Sequence, residues 1–342
     1  MIRKLLKYIV FLGLLAIVGL FGGRAYLDSW SKKEVMVEKA AIIHFPSGTR
    51  LDELSGTLSA SGLIDDPLLF NLWVRQQKTY GQYQAGVYRF SGAITPKIIQ
   101  DKIISGVSYN PIVLQFVIPE GFTLEQTLRR LVANNVGDYD ELYKLSRDKA
   151  FLKSLNVKSP TLEGYLYPAT YSFTAREPAK AVLKKMVNTF WENLPKDYEK
   201  NVKKKGLSLH EAITFASLIE KETQHDDERS LVSEVIWSRL KNREPIAIDA
   251  AIIYGIEDYD GDIKWKHLRD KSNPYNTRVH KGLPPGPIGA VSAASLEAIL
   301  TPTNFGYYYY VVIGGTNRHH FSKTLKEHNK HVQLYLDYIK RK

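Results

Sequence analysis

Residues 208–242, SLHEAITFASLIEKETQHDDERSLVSEVIWSRLKN, hold the pattern around which the rest of the chain is arranged. Ser208 followed three residues later by Glu211 is a capping box, in which hydroxyl and carboxylate satisfy each other's amides at a helix start, so a helix begins near Leu209. Leu209, Ile213 and Ala216 recur at four-then-three spacing, and the next residue in that row is Glu220. A carboxylate therefore falls on the apolar face, with Lys221 and Glu222 rotated away from it. Asp226 and Asp227 are cap candidates for a second helix, along which Leu231, Val232, Val235, Ile236 and Leu240 keep helical spacing. That pattern predicts a packing partner for the first helix.

Two chemistries fit a glutamate at position 220. Weakly polar surroundings would disfavour its charge and raise its pKa, as a general acid near neutral pH requires. A buried ion pair, or backbone amides at the helix end, would equally account for it.

Around these helices, strand-like segments recur at IVLQFVI (112–118), YLYPATYSF (165–173) and YYYYVVIGG (307–315), with Pro119, Pro168, Pro284, Pro285 and Pro302 at turns. Strands and helices mixed in this way predict an α+β unit over residues 110–342. Upstream, Ile43-His44-Phe45-Pro46-Ser47-Gly48-Thr49-Arg50-Leu51 is echoed by Phe116-Val117-Ile118-Pro119-Glu120-Gly121-Phe122-Thr123-Leu124, and each copy reads as strand, turn and amphipathic helix. In the first copy the helix, from about 50 to 59, is followed by a second over 67–77 and by a strand in QYQAGVYRF. A strand-helix-helix-strand order over residues 39–109 resembles LysM modules, which bind chains containing N-acetylglucosamine; a small α/β packing module without ligand has the same outline.

The N-terminal run YIVFLGLLAIVGLFGG, between Lys7 and Arg24, extends through Leu5 and Leu6 if Lys7 snorkels, approaching the roughly 20 residues that cross a bilayer. Arg3, Lys4 and Lys7 precede it, so the positive-inside rule keeps the N-terminus cytoplasmic and exports the rest. No A-x-A-like site occurs in the following GGRAYLDSW, which favours a retained anchor over residues 1–27 above a cleaved signal. Residues 28–38, DSWSKKEVMVE, read as a polar linker.

A formal charge of +11 favours an anionic partner without choosing among nucleic acid, lipid head groups and acidic wall polymer. The absence of cysteine excludes disulfides, thiolate metal sites and a cysteine nucleophile. His319, His320, His328 and His331 cluster near the C-terminus but form no H-E-x-x-H pattern, so no metal site is expected; His319 is a candidate cleft contact. Lys203 to Lys205 read as a solvated basic face, and Tyr307 to Tyr310 as an aromatic strand that alternates toward a core. No phosphate-cradling glycine loop and no nucleic-acid signature beyond net charge are found, and no cofactor is expected.

The string Ala216-Ser217-Leu218-Ile219-Glu220-Lys221-Glu222-Thr223 is followed by Asp249 with Ile253-Tyr254-Gly255, by Tyr275-Asn276-Thr277, and by Gly282-Leu283-Pro284-Pro285-Gly286-Pro287-Ile288. With LEGYLYPATY (162–171) and the closing HHF and EHN segments, these residues resemble the YceG-like (MltG) endolytic murein transglycosylases in order and spacing. The resemblance implies a membrane-tethered lyase that cuts nascent peptidoglycan strands on the outer face of a bacterial cytoplasmic membrane, beside peptidoglycan synthases and the elongation or division machinery. It makes Glu220 the catalytic residue. Glu220 would protonate the departing glycosidic oxygen, then as carboxylate take the proton of the 6-hydroxyl of N-acetylmuramic acid as that oxygen closes a 1,6-anhydro ring. Asp249, Tyr254, Tyr275, Asn276, Thr277 and His319 are the implied substrate contacts. Where the family often has Asp-Pro-Thr, this chain has Asp249-Ala250-Ala251, which leaves the role of Asp249 open. Two other functions fit the residues: a non-catalytic glycan-binding anchor, and a hydrolase pairing Glu220 with Asp249.

Overall fold

The computed structural model describes residues 2–109 and 111–341, which fall into two compact units divided after Pro111. The first unit opens with α1 (Ile2–Trp30), followed by β1 (Val35–Phe45), α2 (Leu51–Ala60), α3 (Pro67–Gln77), β2 (Gly86–Ile94) and α4 (Pro96–Ser105). Its stretch Phe11–Trp30 is long and apolar enough to cross a membrane. Residues 28–38 are not the linker expected of them: 28–30 finish α1 and 35–38 begin β1. The indole of Trp30 is the reason, since it is buried in the core of this unit and donates to Asp65 Oδ1 at 3.0 Å. Strands β1 and β2 pair antiparallel, with an irregularity between Val37 and Ala41. Asp66 caps α3 ahead of Pro67, and α4, an additional helix, buries Ile99 and Ile103 on the same core.

The second unit contains β3 (Leu114–Val117), α5 (Leu124–Ala133), α6 (Tyr139–Leu145), α7 (Lys149–Ser154), β4 (Thr170–Phe173), α8 (Ala179–Asn193), α9 (Tyr198–Lys204), α10 (Leu209–Glu222) and α11 (Asp226–Lys241). It continues with α12 (Asp249–Tyr254), α13 (Trp265–Leu268), α14 (Ala293–Leu300), β5 (Tyr309–Val312), β6 (His319–Ser322) and α15 (Leu325–Arg341). The fold is α+β, with β3 pairing β4 and β5 pairing β6, each pair antiparallel. These strands are shorter than the sequence segments suggest, because Gly164 at φ +79° and Pro168 hold the residues before β4 in turns.

The sequence repeat is structural. In both copies a strand ends, a Pro-x-Gly turn follows with its glycine left-handed (Gly48 at φ +87°, Gly121 at +70°), and a helix begins at the equivalent leucine, Leu51 or Leu124.

Helix α10 starts behind Ser208 as its capping box requires. Instead of a single apolar face, every residue from Ala212 to Glu220 is buried, because α9, α11, α12 and α14 surround the helix. Glu163, buried in the preceding turns, ties this assembly to α5 and α12. Both of its oxygens accept from the Leu124 amide, at 3.0 and 2.8 Å, and one accepts from the Tyr254 hydroxyl at 2.9 Å. Burial pushes its carboxyl up to about 7 in spite of these bonds.

Between its ordinary value of 4.5 and about 7, the unfolded chain has released the Glu163 proton while the folded chain keeps it, so stability falls as pH rises through that window. The loss sums to about 3 kcal/mol. Glu163→Gln should flatten this decline, read as the urea midpoint of tryptophan fluorescence against pH. A slope identical to that of the wild type would count against the assignment.

Candidate active site

Four segments of the second unit converge on the end of α10. Glu220 lies in its last turn, and its side chain is only 2% exposed. Its Oε1 accepts from Arg229 Nη1 at 2.6 Å, and its Oε2 accepts from both the amide and the hydroxyl of Ser292, at 2.8 and 2.6 Å. Ser292 is the N-cap of α14, so that oxygen also faces the positive end of a helix. The weakly polar setting read from the sequence is therefore not what surrounds Glu220. A guanidinium and two further donors surround it instead.

Arg229, 3% exposed, comes from the first turns of α11 and spends every side of its fork. Besides Glu220, Nη1 reaches Ser295 Oγ at 2.6 Å, Nη2 reaches Glu120 Oε2 at 3.1 Å, and Nε reaches Asp226 Oδ1 at 3.0 Å. Glu120 is the middle residue of the Pro-x-Gly turn after β3, and its side chain is 54% exposed. Burial and then the negative charge of Glu220 push its carboxyl upward, against the pull of Arg229. Tyr167 stands in the same field: burial, and next the charges of Glu120 and Glu220, raise its phenol.

The turn carrying Glu120 is pinned by the segment after GLPPGPI. Gly121 donates to the Ala290 carbonyl at 2.9 Å, Ala290 donates back to the Phe122 carbonyl at 2.7 Å, and Lys221 Nζ donates to the Gly121 carbonyl at 3.1 Å. Gly289 permits this approach, since a Cβ there would lie 2.7 Å from the Gly121 oxygen. One residue earlier, the Ile288 amide donates to Ser217 Oγ of α10 at 3.0 Å.

The other residues singled out in the sequence lie elsewhere. Asp249 accepts from Arg278 Nε at 2.8 Å and, with His319, lines a cavity of about 360 Å³ that also presents Glu222, Tyr310 and Arg239. There Tyr310 donates to Glu222 Oε2 at 2.7 Å, and burial raises the Glu222 carboxyl despite that bond. His319 Nδ1 meets Glu228 Oε2 at 2.8 Å, and its amide donates to the other oxygen. Asn276 and Thr277, expected as sugar contacts, are buried and bonded to backbone: Asn276 to the carbonyls of His267 and Asp270, Thr277 to Ile248. Their polar atoms hold the loop. Tyr254 and Tyr275 pack ring against ring at 4.8 Å, with Tyr254 committed to Glu163.

Arg229, Ser292, Glu120 and Tyr167 went unnoticed in the sequence. Arg229 carried a signal, because it shares a helical row with the buried Val232 and Ile236. Glu120 carried one too, replacing Ser47 of the other repeat copy.

A helix-centred α+β unit preceded by a small α/β unit and an apolar helix defines a two-unit class of protein, and a solved structure matches most of the chain. The 2.6 Å crystal structure of a YceG-like protein from Listeria monocytogenes matches with a TM-score of 0.58 and 31% identity, over 86% of this chain and 99% of that one. The chain belongs to the YceG-like family, whose model matches residues 43–334. It is 30% identical to the endolytic murein transglycosylase of Bacillus subtilis strain 168, over 86% of this chain and 84% of that protein. It is 27% identical to the protein of the same name from Streptococcus pneumoniae strain D39, covering 97% of this chain but spanning only 65% of that relative's length.

Gly289→Ala should push the Glu120 turn off α10 and cut any activity of this site at least about tenfold, since displacements near 1 Å at a reacting group cost that much or more. Hydrogen exchange at Gly121 and Phe122 should rise in parallel. Unaltered exchange at these amides would show that the turn does not depend on the missing Cβ.

Proposed function

We propose that this chain is an endolytic murein transglycosylase, cutting glycan strands internally to leave 1,6-anhydro-N-acetylmuramic acid ends. The carrying observation is the buried carboxylate of Glu220, oriented by Arg229 and Ser292 on the helix that bears the EKET motif, in a chain whose relatives bear that name. In this reading the apolar N-terminal part of α1 is the anchor, its N-terminus cytoplasmic, and the rest of the chain from Trp30 onward lies outside the cytoplasmic membrane. The βααβ order of residues 35–94 supports a LysM-like grip on glycan by the first unit. Peptidoglycan synthases and the elongation or division machinery are the partners expected beside nascent strands.

Glu220 takes the proton of the 6-hydroxyl as O6 bonds to C1 of the same sugar, so no water enters the bond-breaking step. The intramolecular attack avoids much of the entropy cost of a second reactant. Arg229 and Ser292 hold both oxygens of Glu220 in a set orientation, which the base half of the reaction needs. The acid half, a proton for the departing oxygen, requires a protonated group beside it. Asp249, engaged by Arg278 and facing Glu222, offers no support for a hydrolase built on Glu220 and Asp249.

Glu220→Gln should lower the release of anhydro ends from purified sacculi by about 10²–10⁴-fold, as loss of a general acid–base does. Mass spectrometry of the products, with circular dichroism to verify folding, makes the measurement. Activity within about twofold of wild type in the folded variant would remove Glu220 from the chemistry, and reducing ends in place of anhydro ends would make the protein a hydrolase.

A further inference from the structure

We infer that Glu120 is a second catalytic carboxyl of this site, the acid that protonates the departing glycosidic oxygen while Glu220 serves as base. The inference rests on the reading of Glu220 given above and supplies the acid that the reading requires beside it.

The geometry separates the two acids by the same cation. Arg229 joins both, Nη1 to Glu220 and Nη2 to Glu120, but their surroundings differ in every other respect. Glu220 is enclosed and receives three short hydrogen bonds, which fix both of its oxygens in place. Glu120 receives one longer bond and opens to solvent over half its side chain. Burial, and next the neighbouring Glu220, displace the Glu120 carboxyl upward against the pull of Arg229. Glu120 is thus the exposed carboxyl of the pair, on the solvent side of Arg229.

The groups around Glu120 come from every neighbouring element. Helix α10 supplies the anion Glu220 and the cation Lys221, the latter bound to the carbonyl of Gly121. Helix α11 supplies Arg229 and, on its Nε, Asp226. The segment before β4 supplies the phenol of Tyr167, and the start of α14 supplies only the hydroxyls of Ser292 and Ser295. Only Arg229 in this set pulls the Glu120 carboxyl down, and it is already shared with two other carboxylates. The turn is also rigid, held by Gly121, Phe122 and Ala290, so its carboxyl keeps a set position without the entropy cost of a free loop. In the other repeat copy the equivalent turn position is Ser47, so the acid belongs to the copy that meets the EKET helix.

In the step this implies, the Glu120 proton passes to the glycosidic oxygen, the C1–O bond breaks with its electron pair on that oxygen, and O6 bonds to C1. The O6 proton goes to Glu220. Transfer of that proton from Glu220 to Glu120, directly or through one solvent molecule, restores both groups, so the cycle consumes no water and no co-reactant.

The test compares the full chain in detergent with Glu120→Gln, Glu120→Asp and Glu220→Gln, on sacculi and on an aryl glycoside of N-acetylmuramic acid, whose leaving group needs no proton. Glu120→Gln should lower kcat on sacculi about 10²–10³-fold with KM within about threefold, and should lose the alkaline limb of the pH–rate profile. It should cleave the aryl glycoside within about fivefold of wild type, whereas Glu220→Gln should fail on both. Glu120→Asp, which keeps a carboxyl, should retain the alkaline limb. Sacculus cleavage by Glu120→Gln within about threefold of wild type overturns the inference, as does an equal loss on both substrates, which is what a merely structural ion pair would produce. Wild-type chain releasing no anhydro ends overturns the proposed function and this division of roles with it.

Discussion

A guanidinium withdrawn from water must be surrounded by acceptors, and Arg229 meets that demand by drawing three carboxylates and a hydroxyl from four segments of the chain, its own helix included. Desolvating such a cation costs several kcal/mol, which only well-oriented partners offset. The end of α10, the start of α11, the start of α14 and the turn after β3 are therefore held to one another by a single side chain. Its partners come from distant parts of the sequence, so the site exists only in the folded state.

The same interaction orders the electrostatics. A cation shared unequally lets one carboxyl be buried while another stays exposed and retains its proton more readily than an ordinary glutamate. Without Arg229, Glu220 would keep only the two donors of Ser292; without Glu220, burial alone would raise the Glu120 carboxyl. The second polar cavity, with Glu222, Tyr310, Asp249 and His319, shows how close alternation along one helix can serve two regions. Positions 220 and 222 differ by about 200° around a helix, so EKET sends its two glutamates to different places.

Much of the architecture was legible in local patterns. The capping box at Ser208 marked the start of α10, the repeat marked two strand–turn–helix units, and the mixture of segments indicated α+β. These are short-range features, decided within a turn or two of chain. The apolar-face argument for Glu220 was less secure than its spacing suggested. A helix buried on all sides has no distinguished face, and its periodicity says nothing about which neighbour meets which residue. Likewise Asn276 and Thr277 have the chemistry of sugar contacts, but the loop uses those atoms for itself.

By itself, the sequence determined the elements, the apolar N-terminal helix and the glutamate worth suspecting, since all three follow from the order of side chains along the backbone. Only the tertiary structure decided the state of that glutamate and the identity of its companions. A carboxyl's proton affinity depends on charges and donors within a few ångströms in space, and Arg229, Ser292 and Glu120 reach Glu220 from 9, 72 and 100 positions away along the chain.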